Sequence, residues 1–432
     1  MSVARIVVNL SGFGQWLAQL WNNFSVVLSR YSCLGSYRVV HVAPVEVDEM
    51  HQSRVVVALG LMVSAIAVAV SGVAWASGQA AHETTLVGHD TATRDALGFS
   101  VAVSGSIAVV GAQDHAGHGA AYVFAKSGAA WREQAELRGS DTAPGDSFGY
   151  SVGVSGHTVV IGAPGHHGGG VTGAGYIFTE SGKKWVQTFE ARTRGVGESV
   201  AIDGTTAAFG SGNNTGTGIG AVLLYVKSGS TWVHQATVKS GVPADAFGSS
   251  VSLSGNELAI GANFGGNAVG HVYVYGRTGA SWRRQAVLVG SNTTAADDFA
   301  QSVALSGTAL IVGSPLHNNG DGAAYVFVMA GHGWSQQAKL TESSPSPGDM
   351  FGWAVGLSGS EAVAGAYQRS GTGAAFTFLR HGSVWSHDQT QIASRSVIGD
   401  EVGWSVAQSK TTSVIGAQSA SNGSGAAYVF GG

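Results

Sequence analysis

A short pattern that recurs along the chain constrains the fold most strongly. A bulky residue, usually Phe, is followed by Gly, a variable residue, Ser and Val, and the seven copies stand 48–52 residues apart. They begin at Leu97, Phe148, Val196, Phe247, Phe299, Phe351 and Val402. A Gly-Ala or Gly-Ser pair follows in each unit, at Gly111, Gly162, Gly210, Gly261, Gly313, Gly365 and Gly416. Such a period, made of short β-rich runs between Gly turns, is typical of the blades of a propeller.

Two further markers complete each unit. A Gly followed by small and then aromatic or aliphatic residues, as in 119–124, marks a third segment. A Trp opens a fourth segment in six units, at Trp131, Trp185, Trp232, Trp282, Trp334 and Trp385. The sequence therefore predicts an all-β, seven-bladed β-propeller with four antiparallel strands per blade.

The residue alternation within the first segment favours a propeller over a β-sandwich. In residues 148–155, Phe148, Tyr150 and Val152 alternate with Gly or Ser, so we expect one bulky face and one nearly bare face. A sandwich would show a polar outer face, whereas radially stacked sheets bury both faces. We expect the bulky face of one blade to nest on the small face of its neighbour.

The two ends of the repeated region predict how the ring closes. The last unit stops at Phe430 without a Trp-led fourth segment, and residues 83–87 match fourth segments such as 133–137. The strand at 83–87 should therefore close the last blade, which removes two sheet edges. The propeller is expected to span residues 83–430.

The N-terminal region has the three parts of a secretory signal. Arg54 precedes an apolar run from Val55 to Val70, and Ala74-Trp75-Ala76 follows. We predict a signal peptide at 50–76 with cleavage after Ala76. The alternative is a signal anchor, because the segment from Val55 to Val73 is just long enough to span a bilayer. Residues 1–49 are then an upstream extension or a mis-assigned start, with translation beginning at Met50.

Composition excludes several classes of partner. The net charge is −4, only 11% of residues are charged, and beyond the N-terminal region no Lys/Arg cluster is longer than a pair. We therefore expect no nucleic-acid binding. The single cysteine, Cys33, allows neither a disulfide framework nor a Cys-based metal site. We expect a monomer with no membrane contact beyond the signal segment.

The residues now carry a family resemblance. Phe148-Gly149, followed by Gly162-Ala163-Pro164, resembles the FG-GAP repeat of integrin α-subunit propellers and of many bacterial surface proteins. The third unit departs most, with Arg194 where the other units have Asp, and no Phe. The resemblance implies a secreted or cell-surface protein that binds an extracellular protein or glycan through the loops of one face.

This chain departs from the family at calcium. Members often place an Asp/Asn-rich loop between the two halves of the motif, because Ca²⁺ needs six to eight oxygen ligands. Here that connection is a tight turn such as Ser155-Gly156, with Asp203-Gly204 and Ser409-Lys410 as variants. We predict that those calcium sites are absent, and we predict no other metal and no cofactor.

Two sets of side chains are candidates for a site on that face. Six units carry an Asp two residues before the Phe position: Asp95, Asp146, Asp245, Asp297, Asp349 and Asp400. A ring of cation or ligand contacts is possible, but Asp in a turn ordinarily binds its own backbone, and we favour that role. Imidazoles and carboxylates also recur in one loop class, at Asp114, His115, His118, His166, His167, His317 and Asp321. Gly-rich loops without fixed ligand spacing favour solvated histidines, yet this set is our candidate for ligand contact.

The sequence favours binding over catalysis. The Trp residues that open the fourth segments are interpreted as packing residues. The sequence contains no HExxH motif, no phosphate loop and no recognisable nucleophile, base and orienting residue. We therefore predict a non-enzymatic binding protein. The alternatives are an extracellular hydrolase or lyase using the central channel, which would need converging carboxylates or a His-carboxylate pair there, and a purely structural envelope protein.

Overall fold

The computed structural model describes residues 2–4, 28–30, 83–168, 171–212, 220–263, 269–331 and 333–431. The chain divides into two units, Met1–Gly78 and Gln79–Gly432. In the first unit, Ser2–Ala4 pairs antiparallel with Leu28–Arg30. The predicted signal peptide lies outside the described residues. No helix within the described ranges has both the length and the apolar character needed to cross a membrane.

The second unit contains seven four-stranded antiparallel sheets, which are the predicted blades. Blades 1 to 4 have the strands Leu97–Ser104, Ile107–Ala112, Ala120–Ser127 and Ala130–Leu137; Ser151–Ser155, Thr158–Gly168, Val171–Ser181 and Lys184–Arg192; Ser199–Asp203, Thr206–Ser211, Ala221–Ser228 and Thr231–Lys239; and Phe247–Ser254, Glu257–Ala262, His271–Thr278 and Ser281–Leu288. Blades 5 to 7 have Val303–Ser306, Ala309–Ser314, Ala323–Ala330 and Gly333–Leu340; Val355–Ser358, Glu361–Ala366, Ala374–His381 and Val384–Gln391; and Ser405–Ser409, Thr412–Ala417, Ala426–Phe430 and Thr84–Leu86. Single helical turns lie between second and third strands at His115–Gly117, His317–Gly320, Arg369–Gly371 and Ala420–Gly423.

The ring closes as the sequence predicts. Thr84–Leu86 pairs with Ala426–Phe430 and supplies the fourth strand of blade 7. The first strands of successive blades pack side by side around the centre, and that of blade 7 packs against that of blade 1. The seven-bladed propeller, with its N-terminal strand closing the last blade, is therefore confirmed.

The hydrophobic core lies between the blades. Phe148 is fully buried and packs on Tyr176 and Phe178, with ring centroids 5.2 and 6.1 Å away, in a cluster built from blades 1 and 2. Trp185 packs on the same cluster, and its indole N–H donates to Gln134 of the preceding blade at 3.1 Å. Trp282, Trp334 and Trp385 pack and donate in the same way. The predicted packing role of these tryptophans is confirmed.

The alternation predicted for the first strand is wrong at its start. Gly149 has φ +88°, and the Tyr150 N–H donates to Ser147 O at 3.1 Å, so the backbone turns before the regular strand begins at Ser151. Phe148 consequently packs between blades, whereas Tyr150 lines the central channel. The period of two holds only where the backbone is continuously extended.

The two halves of the repeated motif meet across each blade boundary. Ser151 donates its hydroxyl to Gly197 O of blade 3 at 2.8 Å, beside Gly162. A Cβ on Gly162 would lie 2.0 Å from that same carbonyl, so only Gly allows the approach. The equivalent glycines Gly111, Gly210, Gly261, Gly313, Gly365 and Gly416 have corresponding distances of 1.9–2.6 Å. Ser405 makes the equivalent bond, to Gly98 O, across the closing seam. The repeated glycines and serines thus form the close contacts between neighbouring blades.

The first hairpins form a second ring of bonds at the other end of the channel. In each blade the side-chain oxygen of the hairpin Ser or Asp accepts the backbone N–H of the next hairpin, at 2.5–3.3 Å. The acceptors are Ser104, Ser155, Asp203, Ser254, Ser306, Ser358 and Ser409. These turns, at which the FG-GAP resemblance implied calcium loops, join neighbouring blades. Their lack of calcium remains a prediction.

Candidate functional site

The face opposite the hairpins, here called the open face, carries the connections between blades and the loops between second and third strands. The six candidate aspartates lie there and are all buried. Asp146 accepts the N–H of Ala143 at 2.8 Å, and Asp95, Asp297, Asp349 and Asp400 accept the N–H three residues before them. Asp245 instead accepts the N–H of Phe247 at 3.1 Å. The expected local role of these carboxylates is confirmed.

Three of these carboxylates also hold a histidine. The Nδ1 atoms of His115, His166 and His317 lie 2.7, 2.8 and 2.6 Å from Asp95, Asp146 and Asp297 respectively. Since an ionised carboxylate only accepts, each Nδ1 carries a proton and donates a hydrogen bond to its carboxylate. Burial alone would raise the pKa of Asp297, but hydrogen bonds from Thr294 and His317 lower it below its ordinary value. The favoured interpretation as solvated histidines is therefore wrong for His115 and His166, which are buried.

A tyrosine and a turn residue complete each of these three networks. Tyr122 donates to Asp90 at 2.7 Å, Tyr176 to Asp141 at 3.0 Å, and Tyr325 to Asn292 at 2.8 Å. Asp90, Asp141 and Asn292 follow a Gly by two residues and precede a Thr. A Cβ on the preceding Gly, at Gly88, Gly139 or Gly290, would lie 2.6–2.9 Å from the tyrosine ring, so the glycine makes room for it. The pKa of each tyrosine is raised, first by burial.

The three networks differ at the outward nitrogen of the histidine. In blade 1 a guanidinium nitrogen of Arg138 lies 2.9 Å from His115 Nε2, and in blade 5 Lys339 Nζ lies 2.8 Å from His317 Nε2. In blade 2, Arg192 binds Asp141 and Glu190 instead. His166 Nε2 then has no hydrogen-bond partner among the described residues.

The other candidate residues do not join these networks. Asp114 and His167 are exposed, and His167 Nδ1 lies 4.0 Å from the nearer oxygen of Asp146. Although Asp114 is exposed as a whole, partial desolvation of its carboxylate and then the charge of the neighbouring Asp95 raise its pKa. His118 and Asp321 are half-buried, and Asp321 accepts a hydrogen bond from Asn318 within its own loop. Of the seven predicted residues, three histidines thus belong to three separate networks and the other four residues lie outside them. A role of this set in ligand contact stays a prediction.

Blade 6 replaces the network with an ion pair. Arg369 stands at the position of the histidines, twenty residues after Asp349, and its Nε donates to Glu342 at 2.7 Å. Glu342 takes the place of the glycine, and Phe376 takes the place of the tyrosine. Burial raises the pKa of Glu342 to about 7, and the neighbouring Asp349 adds to the effect while Arg369 opposes it.

An arc of aromatic side chains lies at the mouth of the central channel. The channel contains an open cavity of about 210 Å³. The residue after the Phe-Gly position lines it in blades 1, 2, 3, 4 and 7, and Trp353 of blade 6 packs beside it on Trp404. The Phe99 ring lies 4.9 Å from Tyr150 and 5.7 Å from Trp404, and Trp353 lies 5.1 Å from Trp404. All four are half-buried and come from adjacent blades. In order around the ring they are Tyr150 of blade 2, Phe99 of blade 1, Trp404 of blade 7 and Trp353 of blade 6. The equivalent residues of blades 3 to 5 are polar: Glu198, Ser249 and Gln301.

Glu198 gives the channel lining a carboxylate. It accepts the N–H of Gly212 at 2.8 Å, and burial raises its pKa despite that bond. Burial and then the charge of Glu198 raise the pKa of the Tyr150 phenol. The mouth thus combines apolar ring faces on one side with a partly buried acid on the other.

Sequence reasoning missed Asp141, Glu190, Arg192 and the aromatic arc. A signal for the first was present: the stretches 88–91, 139–142 and 290–293 share Gly, then Asp or Asn, then Thr, in just those units whose His follows the Asp by twenty residues. The arc was missed because the aromatics were assigned to the face between blades. Only the left-handed Gly beside them turns them to the channel.

Comparisons with known proteins agree with the fold. The model of the FG-GAP repeat matches residues 81–124, 131–178, 233–275, 282–327, 334–378 and 385–430, and passes over the divergent third unit. No curated protein matches the sequence. A chain in the crystal structure of the mitotic checkpoint complex is 13% identical, with a TM-score of 0.51 over 81% of this chain and 93% of that chain. Sqt1 of Saccharomyces cerevisiae is also 13% identical, with a TM-score of 0.46 over 76% of this chain and 81% of that chain. The likeness to the chain of the checkpoint complex concerns the fold alone, whereas the repeat matches cover most of the sequence. The chain belongs to the FG-GAP repeat family.

Proposed function

We propose that this propeller is a secreted or cell-surface binding protein that engages a protein partner at the mouth of its channel on the open face. The observation that carries the proposal is the arc formed by Phe99, Tyr150, Trp353 and Trp404. Tryptophan and tyrosine are enriched at the energetic centres of protein interfaces, where large rigid rings bury much area at low entropic cost.

The composition of the mouth suggests what it accepts. Aromatic faces attract cations, and the Glu198 carboxylate lies near Tyr150. A Lys or Arg side chain of the partner, inserted into the channel mouth, would meet both. The ring faces would also stack on a sugar, so a glycan ligand is an outcome that the test must separate.

The channel lining supports binding rather than hydrolysis. Among the described residues that line it, Glu198 is the one carboxylate, and none is a histidine. Hydrolysis by paired groups needs a second acid or base within reach of the same substrate. The imidazole-carboxylate networks of the open face lie instead in the loops between blades.

The test is a binding screen of the full chain against extracellular proteins and glycans, repeated with a variant carrying Trp353→Ala and Trp404→Ala. Loss of the hits in this variant, with retention in a Trp131→Ala control, supports the proposal. Trp131 is a matched aromatic residue on an outer strand. Hits on glycans alone would contradict a protein partner. Hits that bind the double variant as well as the original chain would contradict the location, and no hits would favour a structural envelope role.

A further inference from the structure

In blade 2 a buried imidazole faces two carboxylates. His166 is 2% exposed, and its Nε2 has no hydrogen-bond partner among the described residues. That nitrogen lies 3.6 Å from Asp141 Oδ2. A buried ring nitrogen without a hydrogen-bond partner is costly. A metal cation between this nitrogen and the nearby carboxylate would bind both.

The ligand atoms are already close together. One atom each from Asp141, His166 and Glu190 lies within 4.8 Å of the other two. Ligands of a tetrahedral zinc ion with bonds of about 2.0 Å stand ~3.3 Å apart, so small side-chain rotations would close the set. The Asp141 and Glu190 side chains are 30% and 16% exposed, which leaves an entry path from solvent.

The imidazole is held in the orientation that a metal at this place requires. Asp146, itself 1% exposed, accepts from His166 Nδ1 at 2.8 Å and thereby directs Nε2 toward Asp141. Metal-bound histidines almost always donate their other ring N–H to such a partner, which raises their basicity as ligands.

Arg192 is the competitor for the same carboxylates. Its guanidinium binds Asp141 and Glu190, and its side chain is 40% exposed, so it can swing into solvent. The equivalent place in blade 5 has no carboxylates: Asn292 stands in the position of Asp141, and Lys339 in that of Glu190. The Lys339 ammonium also contacts His317 Nε2. Blade 2 alone of these three combines both acids with an unpartnered imidazole within the described residues.

We infer that blade 2 binds a divalent transition metal, with Zn²⁺ as the best match, through His166 Nε2, Asp141 and Glu190. An imidazole with two carboxylates suits zinc, whereas Ca²⁺ and Mg²⁺ prefer all-oxygen sets. Three protein ligands leave a fourth position for water or for a donor from a partner. The site stands in the loops of the open face and does not depend on the proposed partner binding at the channel mouth.

The first test is a Zn²⁺ titration of the full chain in competition with a chromophoric chelator. We expect one equivalent of Zn²⁺ to bind tightly to the original chain and this binding to be lost in His166→Gln and in Asp141→Asn. His317→Gln, the matched change in blade 5, should leave it in place. If both blade 2 variants still bind that equivalent of Zn²⁺ tightly, the inference is overturned.

Arg192→Gln gives the sharpest test, because it changes an exposed residue and predicts a gain. Removal of the competing guanidinium should tighten Zn²⁺ binding about tenfold or more, since the acids then meet the metal unopposed. Unchanged or weaker binding would mean that the arginine is simply the natural partner of these acids, and would overturn the inference.

Asp146→Asn tests the orienting carboxylate. An Asn oxygen in place of Oδ2 can still accept from both the Ala143 N–H and His166 Nδ1, which bond to that one oxygen, but the neutral amide no longer raises the basicity of the imidazole. Zn²⁺ affinity should fall roughly 10–100-fold, as it does on loss of such outer partners. With Co²⁺ as the probe, visible d–d absorption of the original chain should weaken in parallel. An unaltered affinity in a folded Asp146→Asn protein would contradict this arrangement.

Discussion

The inner wall of the propeller and the loops of its open face obey different rules. On the inner wall, every blade repeats the glycine that admits the neighbouring carbonyl and the hairpin oxygen that binds the next hairpin. On the open face, the same structural position holds His166 in blade 2, His317 in blade 5, Arg369 in blade 6 and Ala420 in blade 7. The inner-wall residues repeat because every blade boundary has the same geometry there. The loop residues of the open face differ from blade to blade, and variable loops are where specific functions are usually found.

The largest effect should come from a side chain placed in a blade boundary. In Gly162→Ala the new Cβ would stand 2.0 Å from Gly197 O, and backbone on both sides must shift. We expect a loss of about 3 kcal/mol in the free energy of unfolding, measured by urea denaturation. Gly333→Ala, where no atom lies within 4 Å of the new Cβ, is the control and should change stability by less than about 0.5 kcal/mol. Equal losses would show that the boundary is not tightly packed.

An intermediate effect should appear on the open face as a pH dependence. Burial raises the pKa of Glu342 to about 7, above that of an exposed glutamate in the unfolded chain. The folded state then holds a proton that the unfolded state has lost, so stability declines as pH rises from about 5 through 7. Glu342→Gln should remove about 1 kcal/mol of this decline, as measured by urea midpoints across that range. Parallel profiles for the two proteins would show that Arg369 keeps the carboxylate ionised.

The smallest effect should come from the hairpin ring. Ser409→Ala removes the acceptor for the Gly105 N–H, an exposed bond of 3.1 Å across the seam between blades 7 and 1. Water replaces the lost partner, so we expect a loss of about 0.5 kcal/mol, equal to that of Ser254→Ala between blades 4 and 5. A several-fold larger loss at Ser409 would show that the seam is weaker than the other boundaries and would break the equivalence of the inner wall.

Sequence reasoning reached the parts of the molecule that repeat. The period, the four strands per blade, the closing strand at Thr84–Leu86 and the packing tryptophans all follow from patterns that recur from unit to unit. It failed where one residue changes the local backbone. The left-handed Gly149 separates Phe148 from Tyr150, so an alternation that looked continuous in the sequence is split between core and channel.

The candidate site was reached only in part, since the histidines were named but their partners were not. His166 and Asp146 are twenty residues apart, and Asp141 and Glu190 are further separated along the chain, so their proximity depends on how blades 1 and 2 stack.

By itself the sequence determined the number of blades and how the ring closes, because both follow from a pattern that recurs from unit to unit. The tertiary structure alone decided which polar side chains meet. His166 is buried, oriented by Asp146 and directed at Asp141 because three segments converge at a blade boundary. Contacts of this kind depend on how residues far apart in the chain are placed in space, and a repeating sequence pattern carries no information about that.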